Sequence, residues 1–93
     1  MAFSYSDKNF TVVGNLCFVH IYAEKTGYSA YSIPPAIYER MLIDNFVYPA
    51  ARLKKSDNSF STGICYIKDG KIDFDNPLDV IYANFSFPID SNK

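Results

Sequence analysis

The chain has 93 residues, which allows one small domain. Nine basic and ten acidic residues leave a net charge of −1, which excludes the basic footprint of a nucleic-acid binder. Aromatics reach 17%, as eight Phe and eight Tyr with no Trp, and this favours strands over helices. The N-terminus lacks the charged and apolar regions of a signal peptide, and no apolar run reaches membrane-spanning length. A soluble protein made in the cytosol is expected, with neither nucleic acid nor membrane as a partner.

Residues 1–9 are polar with scattered aromatics and read as a short strand or lead-in arm. Residues 10–23 are rich in β-branched and aromatic side chains, interrupted at Gly14-Asn15, which predicts two strand pieces with a bulge or tight bend between them. The second piece is apolar on both faces. Leu16, Phe18, His20 and Tyr22 lie on one side, and Cys17, Val19, Ile21 and Ala23 on the other. A strand buried on both faces in so small a domain needs more than one core, and a subunit interface is the simplest supply. Residues 24–27 form a turn and 28–33 a short strand. After Pro34-Pro35 two readings compete. One is a helix over 35–46 with proline at its start; the other is a loop through Arg40 followed by a strand over 41–48. Residues 49–53 continue extended, at a sheet edge because Pro49 has no donor for a ladder.

Residues 54–59 are a polar loop with the one adjacent basic pair, Lys54-Lys55, and 60–68 are a strand. Asp69-Gly70 then predicts a two-residue hairpin, because a type I′ turn needs positive φ at both central positions. Beyond it Ile72 and Phe74 point one way, and Lys71, Asp73 and Asp75 the other. Residues 75–77 turn the chain. Residues 79–89 are the last strand, with Ile81, Ala83, Phe85, Phe87 and Ile89 on one face in period two. Residues 91–93 are a polar tail. Six or seven short strands with at most one helix specify an all-β fold, a small antiparallel β-barrel or sandwich, in a single domain over 1–93 with its body at 10–90.

The chemistry is sparse. Cys17 and Cys65 sit in apolar runs with no C-x-x-C pair or Cys/His cluster, so buried free thiols are expected, a disulfide between them being the alternative. The lone histidine, His20, lies mid-strand with no nucleophile motif beside it, which reads as a packed or interface residue. Asp73 and Asp75 share a strand face, either as a hydrolytic carboxylate pair or as a solvated surface. No catalytic, metal or cofactor site is indicated. The surplus of aromatics is more suggestive: sixteen Phe and Tyr exceed what one small core can hide. Tyr stacks on sugar faces and hydrogen-bonds through its hydroxyl, and Tyr66, Tyr38, Tyr31 and Tyr22 are candidates.

The order of the motifs carries a family resemblance. Val13-Gly14-Asn15-Leu16-Cys17-Phe18-Val19 is followed by Ser32-Ile33-Pro34-Pro35 and Val47-Tyr48-Pro49-Ala50. Then come Gly63-Ile64-Cys65-Tyr66-Ile67, Asp69-Gly70-Lys71-Ile72 and the closing Ala83-Asn84-Phe85-Ser86-Phe87-Pro88-Ile89-Asp90. Over residues 10–90 this resembles the C-terminal head domains of phage tail-fibre and baseplate receptor-binding proteins, most of all the trimeric β-barrel heads of siphophages that infect Gram-positive bacteria. The resemblance implies a non-enzymatic homotrimer at a fibre or baseplate tip, on the virion, in contact with other tail or baseplate proteins and binding host cell-wall saccharide. It also favours the rim loop plus strand over the helix for residues 35–46. Such heads place an acidic residue, a histidine and a Trp near the glycan. Here the hairpin supplies Tyr66, Asp73 and Phe74, to which His20 is added as the only histidine. The chain begins at Met1 with no shaft before the head, which fits either an excised domain or a stand-alone tip. A virion structural protein such as a decoration or tail-assembly piece, without a glycan site, is the alternative function.

Overall fold

Two tight turns set the strand registers. Asp69 and Gly70 have φ of 51° and 78°, the doubly positive pattern of a type I′ turn. They join strand β6 (Phe60–Lys68) to β7 (Lys71–Phe74), with Lys68 opposite Lys71. At Gly14-Asn15 only Gly14 has positive φ, 61°, as a type II′ turn requires. The turn closes a hairpin between β2 (Phe10–Val13) and β3 (Leu16–Glu24), with Val13 opposite Leu16. The remaining elements of this computed structural model are β1 (Tyr5–Ser6), β4 (Tyr31–Ser32), a one-turn helix α1 (Pro35–Tyr38), β5 (Phe46–Lys54) and β8 (Val80–Pro88). Residues 2–24, 31–54, 60–74 and 80–93 are described. Glu24 and Lys54, expected to open the turn at 24–27 and the loop at 54–59, instead end strands β3 and β5. The rest of that turn and loop, the turn at 75–77 with its Asp75, and the start of the strand expected at 28–33 lie outside the described residues.

The strands form one antiparallel sheet in the order β1-β2-β3-β8-β5-β6-β7-β4. β3 and β8 pair along their whole length, Leu16 opposite Pro88 through to Glu24 opposite Val80. β5 pairs with β8 only over Ala51–Lys54 and Val80–Ala83. Its register with β6 breaks between Tyr48 and Ala51. From that break β5 leaves β8, and the sheet divides into two four-stranded halves, β1-β2-β3-β8 and β5-β6-β7-β4, that face each other. Aromatic pairs fill the opening between them. Tyr48 stacks on Phe85 with ring centroids 4.9 Å apart, and Phe46 lies 6.1 Å from Phe87. The protein is therefore a small all-β, sandwich-like domain.

The sequence pattern placed Pro49 at a sheet edge. Pro49 lies within β5 at the irregularity between Tyr48 and Ala51, before the Ala51–Lys54 stretch that runs between β6 and β8, and the break in register there accommodates the missing N–H.

Period two explains the core. Cys17, Val19 and Ile21 of β3 and Ala83, Phe85 and Phe87 of β8 point inward, against Cys65 and Ile67 of β6 and Ile72 and Phe74 of β7. Both cysteines are buried thiols, not joined in a disulfide. Burial pushes the Cys17 thiol up to about 12, with a smaller push from Asp7. From Ala83 the last strand keeps its predicted alternation through Phe85 and Phe87, and the inward phase continues to Ile89, which is fully buried.

Neither reading of residues 35–46 holds throughout. Pro35 begins a helix that lasts one turn, because only Ile37 has a core to face. Met41 then bridges to Ile89, and the strand begins at Phe46 rather than at Met41. Between them Asn45 takes a left-handed φ of 58°, and the Tyr38 hydroxyl donates to Asp44 Oδ2 at 2.9 Å. The C-terminal residues are not all a free tail. Ser91 is buried, and both its backbone N–H and its hydroxyl donate to Asn15 Oδ1 at 3.1 and 2.9 Å. Arg40 holds the N-terminal segment in place, its guanidinium 4.0 Å over the Phe3 ring and donating to the Ala36 carbonyl at 2.6 Å.

Candidate functional site

Full pairing of β3 with β8 aligns the outward-facing residues of the two strands. His20 stands opposite Asn84, and Tyr22 opposite Tyr82. Both rows project from the outer face, about 7 Å apart by strand rise. In the first row His20 Nδ1 lies 2.8 Å from Asn84 Oδ1. In the second the two tyrosine rings pack in a tilted pair with centroids 4.9 Å apart. Tyr22 is 58% exposed, so its ring offers a platform to solvent.

The turn between β1 and β2 supplies the rim. Asp7 Oδ1 accepts from the N–H groups of Asn9 and Phe10 at 2.8 and 2.7 Å, and Oδ2 accepts from the Tyr5 hydroxyl at 3.0 Å. Partial burial pushes the Asp7 carboxyl up, but those three donors and the charge of Lys8 outweigh it and hold it below the usual carboxylate range. The fixed turn presents Lys8 and Asn9. Asn9 Nδ2 donates to the His20 carbonyl at 2.8 Å, and the His20 N–H donates to the Asn9 carbonyl at 2.8 Å. A run of bonds thus leads from Asp7 through Asn9 and His20 to Asn84. The open cleft has a volume of about 290 Å³ and is lined by Lys8, Asn9, His20, Ile21, Tyr22, Tyr82 and Asn84.

The hairpin face is separate. Tyr66 of β6 stands between Val47 of β5 and Asp73 of β7, all three exposed on the outer side of the other half. A shallow groove of about 400 Å³ runs along Asn45, Phe46, Val47, Tyr66, Ile67 and Lys68. The structure brings Tyr66 and Asp73 together as cross-strand neighbours. It does not add Phe74, which is 7% exposed and packs into the core. The alternation that turns Asp73 outward turns its neighbour inward, so Phe74 is removed from the candidate ligand residues. His20 does not join them either, since it lies on the outer face of the opposite half of the sandwich. Of the other tyrosines, Tyr31 is half-buried against the core, and Tyr38 covers Gly70.

Asn84, Tyr82 and Lys8 were not legible as site residues from the sequence. The signal was the outward phase of the last strand, on which Tyr82 and Asn84 alternate with the core residues Ala83 and Phe85. It gains meaning only with the β3–β8 register, which matches each of them to Tyr22 and His20. Among the described residues no three His, Cys, Asp or Glu side chains converge as a metal site, and no helix is long and apolar enough to cross a membrane. No family model, curated protein or solved structure matches the chain.

Proposed function

We propose that this chain is a non-enzymatic saccharide-binding head, of the kind displayed on a virion at a phage fibre or baseplate tip, that recognises host cell-wall glycan as a homotrimer. The observation that carries the reading is the β3–β8 cleft. It sets the exposed Tyr22, paired with the half-buried Tyr82, beside an imidazole, two carboxamides and an ammonium group. Sugars present apolar C–H faces for stacking and hydroxyl edges for hydrogen bonding, and a cleft with both kinds of surface meets both needs. The ligand site of this reading is therefore His20, Tyr22, Tyr82 and Asn84, with the Tyr66–Asp73 face as a secondary surface.

Association is supported by an apolar row on the same outer face. Val13 stands opposite Leu16 and Leu16 opposite Pro88, while Leu42 donates its N–H to the Pro88 carbonyl. Val13 and Leu16, aligned across neighbouring strands, are 61% and 42% exposed, and Leu42, in the bend beside Pro88, is 62% exposed. The same row favours the second reading, a virion structural piece that contacts other tail or baseplate proteins and binds no glycan.

A glycan array probed with the wild-type chain and with Tyr22→Ala, alongside light scattering, separates the two. Saccharide hits that disappear in Tyr22→Ala, from a trimeric wild type, are expected. A stable trimer with no hits would replace the head reading with the structural one. A stable monomer at micromolar concentration would remove the homotrimer.

A further inference from the structure

We infer that the His20–Asn84 pair reads two neighbouring hydroxyl groups of one sugar ring, and so sets the specificity of the cleft for an unsubstituted diol; this rests on the saccharide-binding reading above.

The argument is one of donors and acceptors. His20 Nδ1 and the Asn84 side chain share one hydrogen bond of 2.8 Å. If Nδ1 carries the proton, it donates to Oδ1; the outward groups are then His20 Nε2, an acceptor, and Asn84 Nδ2, a donor. If the amide is turned and donates to Nδ1, the outward groups are Nε2–H, a donor, and Oδ1, an acceptor. Either tautomer of the neutral ring therefore presents one donor and one acceptor, side by side, to the cleft. Both residues are exposed and line it.

Few ligand groups match that pair in both states. A hydroxyl is at once donor and acceptor, so two adjacent hydroxyls satisfy it whichever way the proton lies. A carboxylate or phosphate offers acceptors alone and sets a lone pair against a lone pair at one of the two positions. An ether or a deoxy carbon leaves one of the two unpaired. The tyrosine row one step along the strands would lie under the C–H face of the same ring, which directs its hydroxyl edge toward His20 and Asn84. Asn9 bonds the His20 backbone in both directions and so fixes the strand position from which the imidazole projects.

The test titrates the wild-type chain, by saturation-transfer NMR and calorimetry, with methyl glycosides of glucose, galactose, mannose and rhamnose, and with each monodeoxy form of whichever binds. Removing either of two adjacent hydroxyls is expected to weaken binding about tenfold, the cost of one hydrogen bond left unmade. Deoxygenation elsewhere on the ring is expected to change it less than twofold. In Asn84→Ala and in His20→Ala, both at exposed positions, binding should weaken by a similar factor. The two sensitive deoxy forms should then lose most of their further penalty, because the group they addressed is gone. If a glycoside binds and Tyr22→Ala abolishes it, yet no pair of adjacent hydroxyls matters, the diol inference falls and the saccharide reading stands. If none of these glycosides binds while the array shows hits that Tyr22→Ala abolishes, the diol inference falls and the saccharide reading stands; if the array is blank as well, both fall.

Discussion

Replacing Gly70 by Ala tests how strongly the hairpin between β6 and β7 is held by its turn. Gly70 has φ of 78°, a region in which a residue with a Cβ is strained by about 1–2 kcal/mol. Part of that loss is offset, because alanine narrows the unfolded ensemble by about 0.4–1 kcal/mol. Sterics add little: an added Cβ would lie 3.5 Å from the Tyr38 ring, an ordinary contact. The expected result is a net loss of about 1 kcal/mol, out of the roughly 5–14 kcal/mol that a chain of this length commands. Urea unfolding followed by tyrosine fluorescence should show the midpoint falling by about 0.5–1 M with unchanged slope. Gly14→Ala is the companion measurement. It has the same handedness, φ 61°, and nothing within 4 Å of the added carbon. The two variants should agree within a few tenths of a kcal/mol. A Gly70→Ala protein as stable as wild type would refute the type I′ assignment. A loss above about 3 kcal/mol would show that Tyr38 clashes rather than yields.

Asn15→Ala removes the acceptor of two Ser91 donors, one of them on a buried hydroxyl, and should cost about 1–3 kcal/mol in the same unfolding assay. Phe87→Ala empties a fully buried aromatic site at the centre of the sandwich and should cost about 3–5 kcal/mol, enough to leave the domain partly unfolded near body temperature by circular dichroism. Cys17 should not react with a chromogenic disulfide reagent at neutral pH until denaturant is added, since burial keeps it a thiol. Because its folded pKa of about 12 lies above the ordinary value of 9.0, the unfolded chain releases this proton first. Stability should therefore fall as pH rises from about 9 toward 12, and Cys17→Ala should flatten that fall.

Local chemistry was readable in the chain wherever one residue type answers one backbone demand. Asp69-Gly70 specified its turn because few residues tolerate two positive φ angles in succession. The alternation of Ala83, Phe85, Phe87 and Ile89 specified the core face of the last strand, because period two is the geometry of a strand. Cys17, Val19 and Ile21 were legible as one face of β3 for the same reason. What the sequence could not fix was which outward residues would meet. His20 pairs with Asn84 across 64 positions, and Tyr22 with Tyr82 across sixty, through a register set by the whole length of β3 and β8. The hairpin's own side chains divided, Asp73 outward beside Tyr66 and Phe74 into the core, so a site read from adjacency in sequence could not stay whole. Pro49 shows the same limit from the backbone: its missing donor said that a ladder must break, and only the packing of the two halves made that break the place where the sheet divides. The sequence alone determined an all-β chain, its turns and its inward faces, because those follow from local dihedral and periodic constraints. The tertiary structure alone decided where an imidazole, an amide and two phenol rings converge, because that depends on long-range pairing that no local pattern encodes.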